Sequence, residues 1–130
     1  MTVNNFEDLD AWKEARKLTC QVYSLTSKTP FSKDFGLREQ IQRAAVSCMS
    51  NIAEGFDSGT DQQFIQFLGY SKRSASEAQS LLYAALDNKY IDKAEFAASY
   101  ALAISVRKLC SGFIKYLKKT GDRRPETGDR

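Results

Sequence analysis

From Leu9 to Thr26 the apolar or small residues Ala11, Ala15, Leu18, Val22 and Leu25 recur in alternating steps of four and three, and Trp12 and Tyr23 widen the stripe. That spacing follows the 3.6-residue turn, so the segment is predicted as an amphipathic helix. Residues 28–33, which contain Pro30, interrupt it. Ser32 or Asp34 is placed to cap a second helix that runs to about Glu54. Gly55 is predicted to end that helix, because glycine readily takes the left-handed C-terminal conformation. Beyond the loop at residues 57–60, Thr60 followed by Gln63 fits a capping box that opens a third helix through about Asp87. Phe64, Leu68, Ala75, Ala78, Leu82 and Ala85 share its inner register. A short link, residues 88–91, leads to a second capping box, Asp92 with Glu95, and a fourth helix to about Lys119.

No alternating-polarity strand of useful length interrupts this order. Helices of about 18 to 28 residues measure about 27 to 42 Å, a length match that lets them lie side by side. Short links favour antiparallel neighbours. The predicted fold class is therefore all-α, an antiparallel up-and-down four-helix bundle spanning residues 1–119. Residues 120–130 contain Thr-Gly-Asp-Arg twice, and their Gly, Pro and charge content predicts a flexible C-terminal tail.

Two helices carry more apolar surface than one buried side needs. On a wheel of the fourth helix, Leu102, Ala103, Val106, Leu109, Cys110, Phe113, Ile114, Tyr116 and Leu117 fill an arc of about 160°, and the first helix has a similar arc. Surplus apolar surface of this kind is usually covered by a partner, which predicts a homo-oligomer.

Composition narrows the chemistry. The chain has 130 residues, enough for one domain with a real core. It has no histidine, which removes Ser/His and Cys/His nucleophile pairs and the commonest general base. Cys20, Cys48 and Cys110 have neither disulfide nor zinc spacing and read as buried small apolar residues. No apolar run is long enough to span a membrane, and the N-terminus lacks a leader pattern, so a cytoplasmic protein is expected. No cofactor, metal site or catalytic residue is expected.

Two constellations remain. Gln40, Arg43, Ser47, Asn51 and Glu54 form one ridge along the second helix, and Ser74 and Glu77 on the third could meet it. Its functional reading is a ligand pocket or an interaction seam. The plainer reading, which we adopt, is a polar seam that fixes helix register, with Ala44, Ala45, Ser47 and Ser50 allowing close approach. A di-iron site is rejected because such bundles use Glu-x-x-His motifs. The second constellation is Arg107, Lys108, Lys115, Lys118 and Lys119, continued by Arg123 and Arg124, with no acid between Glu95 and Asp122. Net charge is only +3, from 19 Lys and Arg against 16 Asp and Glu, so the distribution matters more than the sum. The stripe suits phosphates, although it equally suits the negative end of a helix dipole. Phe113 and Tyr116 fall on its apolar side, so aromatic residues are not interleaved with the basic residues for base stacking.

Residues 6–12 (Phe-Glu-Asp-Leu-Asp-Ala-Trp), 40–47 (Gln-Ile-Gln-Arg-Ala-Ala-Val-Ser) and 51–55 (Asn-Ile-Ala-Glu-Gly) together resemble the bacterial four-helix bundle family that includes the 23S rRNA intervening-sequence proteins. Residues 64–68 and 74–77 continue the resemblance, which covers residues 6–118. It departs at residues 48–50, where a small residue and often proline would precede the Asn-Ile segment. The resemblance implies a ring-like homo-oligomer, a pentamer, and an RNA-linked role. The resulting expectation is a non-enzymatic, oligomeric bundle that binds RNA or DNA through the basic face of its fourth helix. The alternative is a protein–protein interaction scaffold with a protein partner and no nucleic-acid binding.

Overall fold

The computed structural model describes residues 3–123. Four helices, α1 (Asp10–Thr26), α2 (Phe35–Phe56), α3 (Asp61–Asp87) and α4 (Lys93–Arg123), are joined by short links, with single 3-10 turns at Phe6–Asp8 and Phe31–Lys33. Each helix packs on the next and α4 returns to α1, which closes an antiparallel four-helix bundle. No strand occurs among the described residues. None of their helices is long and apolar enough to cross a membrane.

Local chemistry sets the helix starts. Asp34, rather than Ser32, caps α2, its Oδ1 accepting from the Leu37 amide at 3.1 Å, while Ser32 lies in the preceding 3-10 turn. The other Asp34 oxygen accepts from the Tyr90 hydroxyl at 2.9 Å, and Phe31 stacks on the Tyr90 ring at 5.1 Å. The two links at this end of the bundle are thereby tied together. The Thr60 hydroxyl accepts from the Gln63 amide at 3.2 Å. Asp92 and Glu95 complete a reciprocal box, each carboxylate accepting from the other residue's amide at 2.7 and 2.9 Å.

Two boundaries differ from the sequence expectation. The helix α2 continues through Gly55 to Phe56, and its cap residue Asp57 keeps a right-handed φ of −85°. Gly55 is required by space and not by backbone sign: a Cβ there would lie 2.7 Å from Phe67 Cβ and 2.9 Å from Phe64 Cδ1. The positive φ falls instead on Gly59, at 95°. The helix α4 passes Lys119 and is described through Arg123. The rest of the predicted tail, residues 124–130 with Arg124, lies outside the described residues.

The predicted stripes form the core. Leu18, Val22, Ile41, Ile52, Leu68, Leu82 and Val106 are fully buried, each contributing about 1.5–3 kcal/mol by leaving water. Cys48 and Cys110 are buried among them, but Cys20 is exposed. Its position explains this, since Cys20 lies about 200° round the helix from the buried Leu18. On α4 the apolar arc is wider than the buried seam: Leu102, Leu109, Phe113 and Ile114 are half-buried, and Tyr116 is 43% exposed.

Glycines separate packing from surface. Gly69 and Gly112 lie inside α3 and α4, and a Cβ at either would meet nothing within 4 Å. Gly55→Ala is therefore expected to destabilise the protein by about 1–3 kcal/mol through overpacking, despite alanine's better helix propensity. Gly69→Ala and Gly112→Ala are expected to stabilise it, by up to about 1 kcal/mol each. Urea unfolding of the three variants checks both signs.

Candidate nucleic-acid interface

The register between α3 and α4 is fixed from inside. Ser71, fully buried, donates to the Cys48 carbonyl at 3.0 Å and lies 3.7 Å from the Cys110 thiol, joining α2, α3 and α4 at one level. Lys72 is one residue further, about 100° round α3, and so comes out on the α4 side. Nearby, the Arg107 guanidinium donates to the Gln79 side-chain carbonyl at 3.0 Å across the same pair of helices.

This pairing creates a shallow groove on the outer α3–α4 face. Lys72, Arg107, Lys108 and Lys115 line it together with Ile104, Ser111 and Gly112. A second hollow shares Lys72 and Arg107 and adds Gly69, Arg73 and Ser76. No carboxylate lines either hollow. The two ion pairs among the described residues, Glu14–Lys17 and Lys28–Glu95, lie elsewhere. Lys118 and Lys119 are exposed further along α4. Arg123 is the last described residue of α4, and Arg124 is beyond the described residues.

Of the predicted basic residues, Arg107, Lys108 and Lys115 thus meet in one place. Sequence reasoning missed Lys72 and Arg73, which belong to the same surface but to another helix. Their signal was the spacing of Gly69, Lys72, Arg73 and Ser76 on one side of α3, which gains meaning only once the α3–α4 register is known. It also missed an aromatic cluster. Tyr83 of α3 packs against Phe96 and Tyr100 of α4, with ring centroids 4.8 and 5.7 Å apart. The neighbouring Tyr100 hydroxyl pushes the Tyr83 phenol above its ordinary pKa, so Tyr83 is neutral at physiological pH.

The polar seam is only half assembled. Asn51 donates to the Ser47 carbonyl and hydroxyl, both at 2.9 Å, and Ser74 donates to the Ser47 hydroxyl at 2.9 Å. Gln40, Arg43, Glu54 and Glu77 are exposed and take no part in this network. The antiparallel register explains why. With Ser47 level with Ser74, Glu54 stands level with about residue 67, about 15 Å along α3 from Glu77. The two carboxylates cannot work on one atom. Among the described residues no group of three or more His, Cys, Asp or Glu is gathered closely enough to hold a metal ion.

The described architecture is that of an all-α antiparallel bundle with a basic groove on one outer face. The chain belongs to the family described as 23S rRNA-intervening sequence protein, whose pattern matches residues 7–112. The fold is similar to the crystal structure of a protein of unknown function from the S23 ribosomal protein family of Bacteroides thetaiotaomicron VPI-5482. The two are 20% identical, the match covers 81% of this chain and 95% of that one, and the TM-score is 0.75. No curated protein matches the sequence.

The cysteines provide a direct check on the packing that holds this register. Burial pushes the Cys48 thiol up to about 12 and the Cys110 thiol up to about 11. Only a thiolate alkylates quickly. At pH 8 the folded protein is expected to take a single maleimide, at the exposed Cys20, and the urea-unfolded protein to take three. Intact mass spectrometry counts the adducts, and rapid labelling of three thiols in the folded state would contradict the packing around Ser71.

Proposed function

We propose that this chain is a non-enzymatic, self-assembling bundle associated with RNA, which it holds by its phosphates in the α3–α4 groove. One observation carries the reading: two helices independently direct Lys72, Arg107, Lys108 and Lys115 into one groove without a carboxylate. Net charge of +3 would not attract a polyanion strongly, but cations concentrated on one face do. The cations at the C-terminal end of α4 also suit its own dipole, yet that accounts for neither Lys72 nor Arg73 on another helix. Membership in a family described by ribosomal RNA favours RNA over other polyanions.

The helix-interior glycines fit the same picture. Glycine costs about 1 kcal/mol relative to alanine inside a helix, and no packing inside the chain needs it at positions 69 and 112. Both line the basic hollows, where a missing side chain lets an external backbone come close.

Self-association multiplies weak contacts through avidity. The half-buried Trp12 and Leu102 line a groove between α1 and α4 together with Lys13 and Arg16. The opposite side of the bundle exposes Glu54 and Glu77. A second copy that places its α2–α3 side on this groove would cover Trp12 and Leu102 and bring Glu54 and Glu77 toward its cations. Such a head-to-tail contact closes into a ring when the rotation from copy to copy allows. Light scattering of the wild type and of Trp12→Glu tests it. The variant should shift toward monomer, and a monomeric wild type removes self-association from the reading.

RNA binding is tested by fluorescence anisotropy with labelled RNA and matching DNA at about 50 and 200 mM salt. With four phosphate contacts, log affinity should fall against log salt with a slope of about −3 to −4. Lys72→Glu combined with Lys115→Glu should weaken binding about tenfold or more and flatten the slope, with circular dichroism unchanged. Absence of RNA binding at low salt would overturn the proposal and leave a protein scaffold as the better reading.

A further inference from the structure

Phosphate binding leaves one feature of the α3–α4 face unused. Tyr83, Phe96 and Tyr100 form a compact cluster, the last two stacked at 5.1 Å with 28° between ring planes, and Tyr83 is 49% exposed. The cluster is in line with the groove. Along α4, Tyr100, Ile104, Arg107, Ser111 and Lys115 recur in steps of four, three, four and four, which keeps them on one side of the helix. Tyr100 is therefore about 10 Å, two turns, from Arg107. On α3, Tyr83 is about three turns from Lys72 and on nearly the same side. The face thus runs from neutral aromatic rings at one end to cations at the other.

We infer that this face takes single-stranded RNA, with one or two bases stacked on Tyr83 and Tyr100 and the adjoining backbone laid into the groove of Lys72, Arg107 and Lys115. The inference rests on the RNA reading above and deepens it. A duplex keeps its bases inside its own stack and offers the rings nothing, whereas an unpaired strand presents base faces that any aromatic side chain can cover. Mutual packing already holds the three rings, so little further side-chain freedom is lost when a base lands on them. No base-edge reading is required, so the preference is for strandedness and not for sequence.

The test measures anisotropy of the full chain with a labelled unstructured ribo-oligonucleotide and with an RNA duplex of equal length. The proteins compared are the wild type, Tyr83→Leu/Tyr100→Leu, Tyr83→Phe/Tyr100→Phe and Lys72→Glu/Lys115→Glu. The wild type should bind the single strand more tightly than the duplex. The leucine pair should lose about tenfold or more on the single strand and little on the duplex, and the phenylalanine pair should behave as wild type. The charge-reversed pair should weaken both. A leucine pair that binds the single strand as tightly as wild type, or that weakens both RNAs equally, overturns the stacking while the groove stands. A wild type that binds neither RNA at low salt overturns the RNA reading and this inference with it. Should the leucine pair lose its helical circular dichroism, Tyr83→Ser alone decides, because that ring is half outside the fold.

Discussion

The level of Ser71 in the core governs the rest of the molecule. Its hydroxyl is bound to the Cys48 carbonyl and lies beside the Cys110 thiol, so one small buried side chain locks the height of α3 against both α2 and α4. Gly55 serves the same interface about two turns further along α2, where its missing Cβ admits Phe64 and Phe67. Phe64 in turn meets Phe113 of α4 with ring centroids 5.0 Å apart. A shift of α3 by one turn would break all these contacts at once, because close-packed cores have few alternative fits. Every surface feature that needs both α3 and α4 inherits its geometry from this register.

The outer α3–α4 face is the main beneficiary. Lys72 follows Ser71 directly, so the burial of one dictates the exposure and direction of the other. Gln79 occupies the level of Arg107 and holds its guanidinium at the groove wall. Tyr83, one helical turn beyond Gln79, meets Tyr100 and Phe96. The three levels alternate between core contact and surface chemistry on a single helix. The groove is therefore a property of the pairing and belongs to neither helix alone.

That distinction also decides what was legible in the sequence. Information local to one helix was legible: the apolar stripes, the Thr60 and Asp92–Glu95 caps and the segregated cations of α4 could all be read from period and position. Gly55 was misread because its constraint comes from Phe64 and Phe67 on another helix, not from the backbone angles of its own. Cys20 was placed inside on the general habits of cysteine, although its angle to Leu18 already put it outside. The polar ridge of α2 was correctly seen as one line of residues. Which of its members met α3 depended on an antiparallel register that joined Ser47 to Ser74 and kept Glu54 apart from Glu77. Lys72, Arg73 and the aromatic cluster were hidden for the same reason, since each acquires its partner from a helix distant in sequence.

The same rigidity limits how the proposed groove could discriminate between ligands. Its cations stand on helices, at spacings set by the helical rise, so they suit a regular backbone and not a particular base. Gln79 is buried and its side-chain carbonyl is occupied by Arg107, so it offers no base-edge reading. Ser76 and Ser111 are short and satisfy either donors or acceptors, which gives little discrimination. What remains is charge, close approach at Gly69 and Gly112, and a stacking surface at one end. An RNA-binding surface of that kind would recognise conformation more than sequence, and with about four phosphate contacts per chain its affinity would depend on copies acting together. On the proposed function, the groove beside Trp12 and the basic groove beside Lys72 are two parts of one design, the first assembling the copies that would make the second effective.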